Sequence, residues 1–122
     1  MSLPPSLDLA DIALHVPRFR HFFRYPLHAS DFHDLRDGRR LLGYYATKPL
    51  YGRLDEAGRV GRSAGFNGEI AGLFVPSPAR SFAHARLFFT RIRAEHITNA
   101  KGRRDWPIIR AAAEQHLLAD LR

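Results

Sequence analysis

The chain contains no cysteine. This absence excludes disulfides, thiolate metal sites and cysteine nucleophiles. Long hydrophobic runs are missing too, since no apolar segment approaches the roughly 18 residues of a membrane-spanning helix. The first six residues, MSLPPS, have neither the basic nor the apolar region of a secretory signal. These absences predict a soluble, cytoplasmic protein with no membrane partner.

Lysine is scarce, although the chain is strongly basic. Of its 19 basic residues 17 are arginine, the formal net charge is +7 and the pI is near 10.8. Arginine presents a planar fork of donors that matches phosphate and a flat face that stacks on bases. A coding sequence rich in G and C produces the same excess of arginine. The charge therefore predicts a polyanionic partner, either nucleic acid or an acidic protein.

The length and composition indicate a globular protein. The 122 residues are 45% hydrophobic and 25% charged, which is ordinary for a folded domain. A chain of this length holds one hydrophobic core but not two. We therefore expect residues 1–122 to form a single domain, with residues 1–6 disordered.

The first part of the chain, up to about residue 37, is predicted to form short helices interrupted by proline. Ser6 is the expected N-cap of a helix that ends near His15, because Pro17 restricts the residue before it. A second short helix follows Pro17, and a third begins at Ser30 and ends at Gly38. Phenylalanines at helical spacing in the second helix are expected in the core, with arginines at its rim. These phenylalanines are Phe19, Phe22 and Phe23.

The middle of the chain is predicted to be an antiparallel sheet. Residues 39–46 and 49–54 have strand composition, and the turn at residues 55–58 leads back into residues 59–62. A second hairpin turn is predicted at Asn67–Gly68, before the strand at residues 69–75. These connections are too short for the crossovers that parallel strands require.

The last part of the chain is predicted to be helical. Ser77–Pro78 is expected to begin a helix of about five turns that reaches His96, because apolar residues recur every three or four positions. Asp105 is the expected cap of a final helix. The buried stripe of that helix is predicted to contain Ile108, Ile109, Ala112, Leu117 and Leu121. The resulting fold class is α+β, with short N-terminal helices, a central antiparallel sheet of three to four strands and two C-terminal helices packed on one face.

Two basic segments are the candidate nucleic-acid contacts. One is the predicted hairpin around residues 55–58, and the other is the loop before the last helix, where arginines can follow a phosphate backbone. Trp106 beside that loop is expected either to stack on a base or to pack as a hydrophobic anchor. The predicted contact residues are Arg53, Arg59, Arg62, Lys101, Arg103, Arg104 and Trp106.

Neither a metal nor a nucleotide cofactor is predicted. The glycine-rich segment 58–65 contains neither a P-loop nor a dinucleotide-binding motif, so hairpin geometry explains its glycines better. The segment from His28 to Asp34 contains two histidines and two aspartates, but their spacing fits no standard metal motif. Its carboxylates are expected to stabilise a helix N-terminus instead.

The main functional hypothesis is a nucleic-acid-binding protein of regulatory or mobile-element type. One alternative is a metal-independent ribonuclease resembling small bacterial toxins, because such enzymes need only a base, an acid and a cation. Its candidate groups are His84, Glu69, Arg62, Tyr44 and His96. Another alternative is a homodimeric scaffold with an acidic protein partner. A third is a small-molecule pocket, lined by Tyr44, Tyr45, Tyr51 and Phe74.

Overall fold

The computed structural model describes residues 3–23, 27–51, 66–92 and 106–122. Within these ranges an antiparallel four-stranded sheet is combined with short N-terminal helices and one C-terminal helix, so the predicted α+β class is confirmed. The helices are α1 (Ile12–His15), α2 (Phe19–Phe22) and α3 (Trp106–Leu121), and the strands are β1 (His33–Asp37), β2 (Arg40–Tyr51), β3 (Phe66–Pro76) and β4 (Arg86–Arg91). The strand order is β1-β2-β3-β4.

The chain divides into two compact units. Unit 1 comprises Met1–Ala46 and Gly72–Phe88, and unit 2 comprises Thr47–Ala71 and Phe89–Arg122. Strands β2, β3 and β4 each contribute residues to both units. The expectation of a single domain stays a prediction.

The N-terminal helices begin later than the sequence predicted. A 3-10 turn at Leu9–Asp11 precedes α1, and the Asp8 side chain caps it by accepting a hydrogen bond from the Ala10 N–H at 3.0 Å. The prediction of Ser6 as the cap is therefore wrong, because Asp8 occupies that role. The end of α1 at His15 is confirmed. Leu3 is 2% exposed, and the expected disorder of residues 1–6 stays a prediction.

The aromatic residues of α2 lie inside unit 1, as predicted. Phe22 and Phe23 are buried, and the rings of Phe19 and Phe23 stack with their centroids 5.1 Å apart. Arg18 and Arg20 are exposed. Among the described residues 18–23, two phenylalanines are therefore core residues and the arginines are exposed.

The helix predicted from Ser30 to Gly38 is wrong. Only a 3-10 turn forms at Ala29–Asp31, where the Asp31 carboxylate accepts a hydrogen bond from the His28 N–H at 2.7 Å. The next residues form β1, which pairs with β2 from His33 opposite Tyr45 to Asp37 opposite Arg40. Leu35 is fully buried in β1, where it lies opposite Gly43 of β2. A helix at these residues could not pair with β2 in this way.

The turn predicted at Asn67–Gly68 is also wrong. Both residues lie inside β3, and Gly68 has a φ of 91°. The Gly68 carbonyl accepts a hydrogen bond from the Ile92 N–H at 2.8 Å. Glycine is therefore used here for a left-handed backbone conformation within a strand, and not for a hairpin turn.

The long helix predicted after Ser77–Pro78 is wrong as well. Residues Phe82–His84 form a 3-10 turn, in which the Ser81 hydroxyl accepts a hydrogen bond from the Ala83 N–H at 3.2 Å. The chain then enters β4, in which Phe88 is the buried residue. Phe88 covers Gly72 on the neighbouring strand, and this long-range contact overrides the local helical pattern.

Helix α3 belongs to unit 2. Its buried residues are Ile109, Ala113 and Leu117, which recur every four positions and so lie on one face. Ile109 forms a cluster with Ile70, against which Ile92 and Ile108 also pack. The predicted stripe is correct at Ile109 and Leu117 but wrong at Leu121, which is 43% exposed because it lies in the last turn. Two C-terminal helices were predicted, and within the described residues the structure has one, α3.

None of the helices in the described ranges has both the length and the apolar character needed to cross a membrane.

Candidate functional site

Most of the predicted nucleic-acid contacts lie outside the described residues. These are Arg53, Arg59, Arg62, Lys101, Arg103 and Arg104. Trp106 is described: it is the first residue of α3 in unit 2, and it is 43% exposed. Part of its indole is therefore accessible, so its stacking on a base stays a prediction.

The structure shows another arginine-bearing hairpin, formed by β1 and β2 in unit 1. Asp37 pairs with Arg40, so Gly38 and Arg39 form a two-residue turn. Gly38 has a φ of 61°, whereas no described residue other than glycine has a positive φ. This pattern is that of a type II′ turn, which requires glycine at its first central position. Arg39 and Arg40 are both exposed at the tip of this hairpin.

The Arg36 side chain is bound to the backbone of this turn. Its Nη2 atom lies 3.2 Å from Oδ2 of Asp34, and its Nη1 donates a hydrogen bond to the Arg39 carbonyl at 3.3 Å. The side chains of this ion pair are 50% and 34% exposed, so we expect the pair to contribute little to stability. Its main effect is to fix Arg36 against the backbone of the turn, which leaves Arg39 and Arg40 to project from the tip.

The hairpin tip lies at the same end of the sheet as the start of β4. The Ser77 N–H, just after β3, donates a hydrogen bond to the Leu42 carbonyl at 3.0 Å, so the end of β3 lies beside the start of β2. On the other side of β3, Arg86 begins β4 next to Phe74. We call Arg36, Arg39, Arg40 and Arg86 the basic sheet end; all four belong to unit 1 and are exposed.

Arg86 makes a cation–π contact with an aromatic ring. Its guanidinium carbon lies 5.7 Å from the centroid of the Phe74 ring. The Phe74 ring in turn covers Gly43, where a Cβ atom would lie 2.7 Å from Cε2 of Phe74. Phe74 is 1% exposed and so cannot move aside easily. A buried ring therefore supports the exposed guanidinium at the end of the sheet.

The candidate ribonuclease groups are distributed over both units. Tyr44 is buried in β2 opposite Asp34, and His84 is exposed; both belong to unit 1. Glu69 belongs to unit 2. Arg62 and His96 lie outside the described residues. A shared catalytic site therefore stays a prediction.

The acidic and histidine side chains between His28 and Asp34 have structural roles. Asp31 closes the turn through the His28 N–H, the His33 ring lies 5.6 Å from the ring of Tyr45, and Asp34 pairs with Arg36. Across the described ranges, no three His, Cys, Asp or Glu residues are grouped in a way that could hold a metal ion.

The described side chains of the alternative tyrosine-lined pocket are buried. Tyr44, Tyr45 and Phe74 are buried in unit 1, and the ring of Phe74 lies against Gly43. The side chain of Tyr51 lies outside those described. These aromatic residues thus form packed core.

Sequence reasoning missed the β1–β2 hairpin, although the sequence contains a signal for it. Gly38–Arg39 is a Gly-X pair, the type of dipeptide that favours two-residue type II′ hairpin turns. Apolar residues lie on both sides of it, at Leu35 and Leu41. Weighting this dipeptide above the apparent helix from Ser30 would have placed Arg36, Arg39 and Arg40 on a hairpin.

No protein-family model, curated protein or solved structure matches this chain. The fold and the site define an α+β protein with an arginine-bearing sheet end. Its function is therefore inferred from its own residues.

Proposed function

We propose that this protein binds nucleic acid through phosphate contacts made by the β1–β2 hairpin, in a regulatory or mobile-element role in the cytoplasm. The observation that carries the proposal is the two-residue turn, which presents Arg39 and Arg40 to solvent while Arg36 is bound beneath them. The formal net charge of +7 supports a polyanionic partner.

Arginine side chains at a rigid turn suit phosphate recognition for two reasons. Each guanidinium donates parallel hydrogen bonds to two phosphate oxygens, and these charge-assisted bonds are stronger than neutral ones. Each neutralised phosphate also releases condensed counterions, which adds affinity that decreases with salt. Contacts of this kind position a protein on the backbone without reading base sequence. Arg53, Arg59, Arg62, Lys101, Arg103, Arg104 and Trp106 remain further candidate contacts.

The test is a fluorescence-polarisation titration of labelled single-stranded RNA, single-stranded DNA and duplex DNA at several salt concentrations. We expect the wild-type protein to bind with an affinity that falls steeply with salt. The double variant R39A/R40A should bind at least about 10-fold more weakly at low salt, since two phosphate contacts are lost. The slope of log K against log salt should become shallower by about 1.4 for a single strand, at about 0.7 per phosphate.

The matched control is the double variant R110A/R122A. It removes the same charge from two exposed positions in unit 2, at α3 and at the end of the chain. We expect this control to bind within about 2-fold of the wild type, because the proposed phosphate contacts are made by the hairpin and not by these two arginines. Equal losses in the two double variants would contradict a binding site at the hairpin and indicate a nonspecific effect of net charge.

The same titration tests the two alternatives from the sequence. Cleavage of the RNA probe in the presence of a chelator would support the ribonuclease hypothesis, because the candidate groups need no metal. Preferential binding of a labelled polyglutamate chain over every nucleic acid would support an acidic protein partner instead. Size-exclusion chromatography of the same samples tests the homodimer, which would double the number of phosphate contacts.

A further inference from the structure

We propose that the partner of the basic sheet end is single-stranded nucleic acid, whose backbone crosses the strand ends from the hairpin turn to Arg86. This inference rests on the proposed function and deepens it by adding a second contact point and the class of nucleic acid. Its strongest observation is the support of Arg86 by the ring of Phe74, which is buried against Gly43.

Arg86 is suited to be a contact because its position is fixed in advance. The guanidinium lies over the Phe74 ring at 5.7 Å, while the residue as a whole is exposed. The attraction between the cation and the ring face restrains the position of the guanidinium, and an exposed guanidinium has the planar donor geometry that matches phosphate oxygens. An arginine that is already ordered loses less conformational entropy on binding than a freely rotating one.

The distance from the hairpin to Arg86 matches a short nucleic-acid segment. The hairpin tip is at the start of β2 and Arg86 is at the start of β4, with β3 between them. Neighbouring strands are about 4.8 Å apart, so the two contact points are separated by about 10 Å across the strands. With backbone charges about 3.4 Å apart along each strand of a helix, and farther apart in an extended strand, this distance corresponds to about two or three nucleotides.

The sheet end is a poor fit to the groove of a duplex. A two-stranded ribbon can enter the major groove, which is about 12 Å wide. The β1–β2 ribbon is not free to do so, because the Ser77 N–H bonds to the Leu42 carbonyl and holds β2 against β3 close to the turn. Four strands side by side span about 14 Å before side chains are counted, which exceeds the groove. A single strand lying across the end meets no such obstacle.

The experiment compares Arg86→Ala with Arg91→Ala, using a labelled decathymidylate and a duplex of ten base pairs. Arg91 is the matched control because it is exposed, carries the same charge and ends the same strand that Arg86 begins. For Arg86→Ala we expect about 5-fold weaker binding of the single strand at low salt and a salt slope shallower by about 0.7. For Arg91→Ala we expect less than about 2-fold weaker binding and an unchanged slope.

The binding of the Arg86→Lys variant is a second test, in which the long side chain and its charge are kept. This variant keeps the charge but loses the planar fork and the stacking geometry, so we expect binding between that of Arg86→Ala and wild type. Circular dichroism and thermal denaturation of each variant show whether it is folded. If Arg86→Ala does not fold, the affinities of Arg86→Lys and Arg91→Lys for the single strand are compared instead. Equal affinities of these two variants overturn the inference.

The outcomes separate this inference from the proposed function. If R39A/R40A weakens binding but Arg86→Ala does not, the path across the strand ends is wrong while the hairpin site stands. If the duplex binds as tightly as the single strand at equal salt, the choice of a single strand is wrong. If the wild type binds none of the nucleic acids at low salt, both proposals fail.

Discussion

The variant Gly72→Ala is expected to lose about 3 kcal/mol of folding stability, at the upper end of the usual cost of overpacking a core. A Cβ atom at Gly72 would lie 2.7 Å from Cε2 of Phe88 and still closer to Cζ and Cε1 of the same ring. Phe88 is buried, so the ring cannot swing into solvent without a further loss of hydrophobic burial. The melting temperature should fall by roughly 10 °C for a chain of this size.

A double-mutant cycle with Phe88→Ala tests whether the clash with the Phe88 ring causes this loss of stability. Phe88→Ala alone should cost about 3–5 kcal/mol, because a buried ring is lost. In that background the alanine at Gly72 has room, so its additional cost should be less than about 1 kcal/mol. The free energies come from urea denaturation followed by circular dichroism. Additive costs, or a Gly72→Ala variant as stable as the wild type, would contradict the packing of Phe88 over Gly72.

The variant Leu117→Ala is expected to lose about 3 kcal/mol of stability, whereas Leu121→Ala should lose less than about 0.5 kcal/mol. Both are the same chemical change on the same face of α3, one turn apart. Leu117 is 0% exposed and Leu121 is 43% exposed, so only the first leaves a cavity.

The measurement is the midpoint of urea unfolding for the two variants and the wild type, with a comparable slope in all three so that the midpoints report stability. Equal losses at Leu117 and Leu121 would mean that the buried stripe continues to the end of α3, as the sequence alone suggested. A loss of stability in Leu121→Ala alone would show that α3 is rotated about its axis from the orientation that buries Leu117.

The parts of the fold that could be predicted from the sequence are those fixed by local signals. The end of α1 at His15 follows from Pro17, which restricts the residue before it. The strand around residues 69–75 is rich in residues that favour strands, and it lies inside β3. The burial of Phe22 and Phe23 follows from their positions three and four residues after Phe19, at the end of α2 and just beyond it.

The parts that could not be predicted depend on contacts between distant residues. In and around β4 the positions Phe82, Ala85, Phe89 and Ile92 fit a helical period, but the hydrogen bond from the Ile92 N–H to the Gly68 carbonyl is made only in the sheet. Nothing near Phe88 in the sequence indicates that its ring will cover Gly72. The periodicity of one segment cannot decide between a helix and a strand, because the strand is stabilised by its contacts with the neighbouring strand.

The sequence predicts arginine contacts with phosphate, which stay a prediction, but it did not indicate the position of the β1–β2 hairpin. The excess of arginine over lysine indicated phosphate recognition by arginine. To place Arg39 and Arg40 at a hairpin tip, the Gly38–Arg39 turn had to be recognised, and the apparent helix from Ser30 concealed it. The support of Arg86 by Phe74 depends on the register between β3 and β4, which no local pattern determines.

The most direct test of the central claim is an NMR titration of the labelled protein with decathymidylate at low salt, following backbone amides and arginine side-chain Nε–H groups. The account predicts that the largest shifts occur at Gly38, Arg39 and Arg40 and at the Nε–H of Arg86, and that they reverse on addition of salt. The Nε–H of Arg110 on α3 should stay within the noise. Shifts concentrated at Arg110 and the rest of α3, with none at the hairpin, would contradict the claim that this protein binds nucleic acid through the β1–β2 hairpin.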